Sequence, residues 1–117
     1  MDNTVTSSQA IRVPWTIEDV EKCIESSPIV VFSKGTPDKP RCGFSERVLG
    51  VLENTGIPYN LVDVSEDRGV MPALTAYAGR QYLPLVYVKG TLVTSSEKLV
   101  MMIESGALVE RLHAAAG

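Results

Sequence analysis

The sequence predicts an α/β fold built on a four-stranded mixed sheet flanked by helices. Helical and extended apolar patterns follow one another in the order α-β-α-β-α-β-β-α. The first extended run, "PIVVF", is apolar throughout, as a strand covered on both faces has to be, so it is placed at the centre of the sheet. The last two extended runs are separated only by Lys89-Gly90, a hairpin turn.

Each element has its own local reason. In "WTIEDVEKCIESS", Thr16 can cap a helix whose first turn is acidic, and Ile17, Val20, Cys23 and Ile24 fall at helical spacing. The strand from Pro28 to Phe32 is β-branched. After a loop with two prolines, a helix runs from about Gly43 to Asn54 with Phe44, Val48, Val51 and Leu52 as its apolar positions and Gly56 as its stop. "YNLVDV" is a second strand, from Tyr59 to Val64. Residues 66–78 form a helix if Pro72 lies in its first turn, where its missing N–H costs nothing. The hairpin "LPLVYV" and "TLVTS" follows. "SEKLVMMIESGALVERLHAAA" ends the chain with a helix, a break at Gly106 and a last turn or two.

The 117 residues make one domain, predicted over 15–117 behind a polar, flexible segment at 1–14. A formal charge of -3 argues against a nucleic-acid partner, which needs Lys and Arg massed against phosphate. No apolar run approaches the roughly 20 residues that cross a bilayer, which argues against a membrane role. Two cysteines, Cys23 and Cys42, are too few for a disulfide framework and point to a reducing compartment, the cytoplasm first and the mitochondrial matrix second.

Cys42 is the residue to which chemistry points. In "KGTPDKPRCGFSERV" it stands at a helix start, where unpaired N–H groups and the helix dipole favour a thiolate, with Lys34, Lys39 and Arg41 nearby. A merely structural cysteine would sit in apolar surroundings, not between an arginine and a glycine. Cys23, on the apolar face of the first helix, is a core residue. The pattern C-x-x-C would put a second cysteine at 45, and Ser45 stands there. A disulfide attacked by Cys42 therefore needs an outside thiol for release, and a metal cluster with four ligands would need two chains and two external thiolates. His113 falls in the last, frayed turn, and Met101 and Met102 are packing residues rather than metal ligands. Trp15, just ahead of the cap, fastens the first helix to the domain.

The stretch "VVFSKGTPDKPRCGFSERVLGVLENTGIPYNLVDV", with "LPLVYVKGTLV" and "MIESGALVERL", resembles the monothiol, C-G-F-S type glutaredoxins over roughly residues 16–112. That resemblance implies a thioredoxin-like fold, glutathione as ligand and a [2Fe-2S] cluster bridging two protomers, monomeric without the cluster and homodimeric with it. Cys42 would be both the redox-active residue and the cluster ligand. Lys34 would pair with a glutathione carboxylate, Phe44 would shape the pocket, and a cis Pro84 would present the backbone of Leu83 to the ligand. Ser96 and Glu97 would hold the γ-glutamyl end.

The chain also departs from the family pattern. The usual Trp-Pro-Thr is Arg80, Gln81 and Tyr82; the usual Gly-Gly is Thr94-Ser95; the basic residue of the third helix is Met71. These changes bear on glutathione affinity. Arg80 either supplies the lost charge or is a solvated surface arginine. Three functions stand open: a glutathione-dependent cluster carrier serving iron-sulfur acceptor or assembly proteins, a monothiol thiol-disulfide oxidoreductase, and a binding module that kept the fold with weakened ligand affinity.

Overall fold

A computed structural model describes residues 15–79, 83–94 and 96–116, without the side chains of residues 94, 96, 97, 99, 100 and 116. The flexible segment predicted at 1–14 lies outside the described residues. Helix α1 (Ile17–Glu25) opens with the capping box that its sequence promises: Thr16 Oγ1 accepts from the Asp19 N–H, and the Asp19 carboxylate accepts from the Thr16 N–H. Val20 and Ile24 are buried, while Ile17 is 45% exposed and lies off the packed face.

Strand β1 (Ile29–Ser33) is buried at every residue. Helix α2 (Gly43–Thr55) follows the proline loop and stops at Gly56, whose φ of 69° is left-handed. Strand β2 (Asn60–Asp63) then pairs parallel to β1, with Val30 opposite Asn60 and Ser33 opposite Asp63. That register brings the carboxyl ends of both strands together beside the loop that follows β1.

The third helix is shorter than predicted. Residues 64–66 are turn, and α3 spans Val70–Ala78. Pro72 is its third residue, so the first turn absorbs the missing N–H and the ring meets no preceding turn. Strands β3 (Leu85–Val88) and β4 (Thr91–Thr94) form the hairpin. Its two turn residues, Lys89 and Gly90, both have positive φ, at 51° and 83°, which matches the twist of the flanking strands. The sheet order is β2-β1-β3-β4, with β1 internal as predicted.

Because side chains alternate along a strand, β1 feeds two cores. Val30 and Phe32 pack with Val20, Ile24, Val70, Leu74, Leu85 and Tyr87 on the α1/α3 face. Ile29 and Val31 pack with Val48, Leu49, Leu52, Val86 and Val88 on the other face, under α2. Cys23 packs partly buried against the first of these cores, where burial raises its thiol. No helix among the described residues is long and apolar enough to cross a membrane.

The chain's end corrects the sequence reading. Helix α4 (Ser96–Ser105) breaks at Gly106, and beyond the break the chain forms a full ten-residue helix, α5 (Ala107–Ala116), rather than a turn or two. Leu108 and Leu112 are wholly buried and Ala115 nearly so, all in the second core. The 4-3 spacing of those three residues is the stripe that docks the helix. His113 therefore belongs to a packed helix, not a frayed turn. In α4, Met102 packs against the core, but Met101 is 69% exposed and is no core residue.

If α5 is structural in this way, Leu112→Ala should cost about 2–4 kcal/mol, the usual range for emptying a buried leucine site. Urea denaturation of both proteins measures it. A loss within about 0.5 kcal/mol, the range of a surface substitution, would mean that α5 is only loosely held.

Candidate functional site

The loop after β1 and the start of α2 form one hydrogen-bonded unit. The Arg41 N–H donates to the Lys34 carbonyl at 2.9 Å, and Thr36 and Lys39 exchange backbone bonds at 3.3 and 3.1 Å. Gly35 makes the tightness possible. Its φ is +96°, and a Cβ there would collide with the Lys39 carbonyl and lie 2.7 Å from the Arg41 nitrogen.

Asp63, at the end of β2, ties this loop to the sheet. Its Oδ1 accepts from the Gly35 N–H at 2.8 Å, the Ser65 N–H at 2.9 Å and the Ser65 hydroxyl at 2.6 Å. Burial raises the Asp63 carboxyl, but the bonds from Ser65 and Gly35 together with the charge of Arg41 outweigh it, and the group titrates below the usual carboxylate range.

Cys42 is the N-cap of α2. Its Sγ accepts from the Ser45 N–H at 3.4 Å, in the place where a serine or aspartate oxygen would ordinarily sit. The same sulfur lies 3.3 Å from the Ser45 hydroxyl. Ser45 is completely buried, and its Oγ also accepts from the Lys34 N–H at 3.1 Å. The hydroxyl can therefore answer either state of the sulfur. It accepts from the thiol, and it donates to the thiolate by turning its own proton, with Lys34 occupying a lone pair throughout. Cys42 itself is half-buried and unpaired with Cys23. Phe44, in the first turn of α2, is 45% exposed.

Lys34 is exposed and opens a cleft of about 750 Å³ between the loop and α3. Val64, Ser65, Arg68, Met71, Pro72, Thr75 and Leu83 line the rest. The Leu83-Pro84 peptide bond is cis, as expected, and Leu83 and Pro84 are both buried. Of the predicted site residues, Lys34 and Leu83 meet in the cleft. Cys42 is joined to it through Ser45, which accepts from the Lys34 N–H, whereas Phe44, two residues further along α2, is not among the residues that line it. Thr94 ends β4, and Ser96 and Glu97 begin α4; their side chains lie outside the described residues, as do Arg80, Tyr82 and Ser95.

Sequence reasoning missed three participants. Ser45 looked like a mere absence of cysteine, although a polar side chain three residues after an N-cap could have signalled a capping role. Asp63 and Arg68 gave no local sign, because both act across a tertiary gap.

This geometry is that of a glutaredoxin, and comparison with known proteins agrees. The glutaredoxin family profile matches residues 29–93, and the chain belongs to that family, on its monothiol branch. It is 34% identical over 116 residues to the bifunctional monothiol glutaredoxin-S16, chloroplastic, of Arabidopsis thaliana, matching 96% of this chain but only 40% of that protein. To the uncharacterized monothiol glutaredoxin ycf64-like of Synechocystis sp. it is 32% identical over 102 residues, covering 87% of this chain and 95% of the relative. Among solved structures, a monomeric truncated mutant of Trypanosoma brucei 1-C-Grx1 superposes with a TM-score of 0.71 at 29% identity, over 86% of this chain and 91% of that one. The thioredoxin-like fold expected from the sequence is thus the observed one.

Two predictions test the unit. Ser45→Ala should cost about 1–3 kcal/mol, because the Lys34 N–H loses its acceptor, and should slow alkylation of Cys42 by iodoacetamide at neutral pH. Unchanged alkylation would remove the hydroxyl from the thiol's chemistry. For Asp63, a carboxyl lowered on folding adds stability above its unfolded pKa of roughly 3.9, lost as pH falls through the lower folded value. The wild type should therefore lose stability relative to Asp63→Asn between about pH 5 and 2, and parallel thermal-melt profiles across that range would refute it.

Proposed function

We propose that this glutaredoxin is a glutathione-dependent carrier of [2Fe-2S] clusters, delivering them to iron-sulfur acceptor or assembly proteins. The observation that carries this reading is the single sulfur at the N-cap of α2, with a hydroxyl and not a thiol behind it. Among the described residues, no group of three or more His, Cys, Asp or Glu side chains is placed to hold a metal. Cys23 packs against the first core, so Cys42 is the thiol each chain would bring, and a four-ligand cluster would bridge two chains with one glutathione thiolate from each.

In that arrangement the protein's own groups have separate tasks. The N–H and hydroxyl of Ser45 hold the Cys42 thiolate toward solvent. Lys34 takes a glutathione carboxylate at the mouth of the cleft, the backbone of Leu83 beside cis Pro84 runs along the ligand's cysteinyl unit, and the start of α4 at Ser96 and Glu97 receives the γ-glutamyl end. Phe44, exposed next to the sulfur, shields the cargo from water. Because two of the four donors would come from outside, release would break one Cys42–iron bond in each chain, with thiolates of the acceptor taking the vacated positions. Such thiolate chemistry needs a reducing compartment, the cytosol or the mitochondrial matrix.

A second reading uses the same sulfur. The Cys42 thiolate attacks a glutathione mixed disulfide, releasing the target thiol and becoming glutathionylated itself. A second glutathione thiolate then frees it as oxidised glutathione.

Anaerobic reconstitution with ferrous iron, sulfide and glutathione separates the two. A carrier gives a brown dimer that is lost with Cys42→Ser and when glutathione is omitted. A colourless monomer that still reduces glutathione mixed disulfides would make the protein an oxidoreductase. Silence in both assays would leave a binding module.

A further inference from the structure

The cleft that Lys34 opens has a second cation among the residues that line it. Arg68 lines it from the turn before α3, and among the described residues that line it no side chain is acidic. The rest of its lining is largely apolar, with Val64, Met71, Pro72 and Leu83. In a chain of net charge -3 this is a local positive site, one turn of chain before Met71.

Arg68 is held from both sides. Ahead of it, the N–H groups of Glu66 and Asp67 both donate to the Asp63 carbonyl at 3.1 Å. Around it, Trp15 forms a strap: its N–H donates to the Gly69 carbonyl at 3.2 Å, and its indole Nε1 donates to Asp67 Oδ2 at 2.9 Å. The strap therefore grips the residues on either side of Arg68, and it engages the carboxylate of Asp67, its immediate neighbour. The Arg68 carbonyl in turn accepts from the Met71 N–H, which fastens the turn to the helix.

We infer that Arg68, positioned by the Trp15 strap, is a ligand-binding residue that holds the glycyl carboxylate of glutathione together with Lys34. The inference rests on the glutathione reading above. Charge selects the end of the ligand. The γ-glutamyl end carries an ammonium beside its carboxylate, which two cations would repel, whereas the glycyl end is a simple anion that a guanidinium can grip with two parallel bonds.

Calorimetric titration with S-methylglutathione, which cannot form a disulfide, and with its glycyl amide tests this. Arg68→Met should weaken the acid roughly five- to tenfold and leave the amide unchanged, with Arg68→Lys in between. Trp15→Phe, which keeps a ring but loses the indole N–H, should weaken the acid alone. Wild-type affinity for the acid in Arg68→Met, with Lys34→Met weakened, would overturn the role of Arg68 while leaving glutathione as ligand. Equal loss for acid and amide in Arg68→Met would make Arg68 structural and overturn it too. Unchanged acid affinity in Trp15→Phe would remove the strap from the proposal. If the wild type binds neither compound, the inference falls together with the glutathione reading.

Discussion

The buried hydroxyl of Ser45 joins two parts of the site that the fold delivers separately, the end of a strand and the start of a helix. It takes the Lys34 N–H on one side and faces the Cys42 sulfur on the other. Removing it would leave a buried donor without an acceptor, a cost of about 1–3 kcal/mol, and would also take away the group that can follow the sulfur between its two protonation states. This one oxygen is in contact with both the loop that lines the cleft and the thiol. A serine at this position is therefore more than the absence of a resolving thiol.

Around that contact the chain builds its charge locally. An acidic protein cannot attract a small anion by its overall field, so the cations that matter have to be placed one by one. Asp63 illustrates how. Its carboxylate is spent on the backbone of Gly35 and on Ser65, so hydrogen bonds hold it as an anion facing the loop it anchors, the loop that carries Lys34. The same strand end, through its carbonyl, holds the turn that carries Arg68. One short segment thus steadies both walls of the cleft.

The architecture was legible in the sequence because its signals are local: the uniformly apolar run of β1, the Thr16 cap, the Gly56 stop and the Lys89-Gly90 turn each act within a few residues. Where the reading failed, tertiary packing decided. Helix α5 looked like a terminal turn until Leu108, Leu112 and Ala115 found the second core, and Met101 sits on the face of α4 that packing left outside. The onset of α3 moved to Val70 because residues 64–69 are bonded to Ser33 and Trp15, partners far away in sequence, as well as to the neighbouring Asp63. For the site, the reactive cysteine and its flanking lysine could be read from a short motif. The cleft's far wall could not, since the turn that carries Arg68 is bonded to Trp15, more than fifty residues earlier in the chain.

Gly35 carries a consequence for how this molecule can change. Its left-handed backbone sits outside both hydrophobic cores, so any other side chain there distorts the loop first and the folded interior second. In a saturation screen scored for both protein abundance and growth, substitutions at Gly35 should sort with loss-of-activity alleles of near-normal abundance. Alleles of Leu112 should vanish from the abundance score itself.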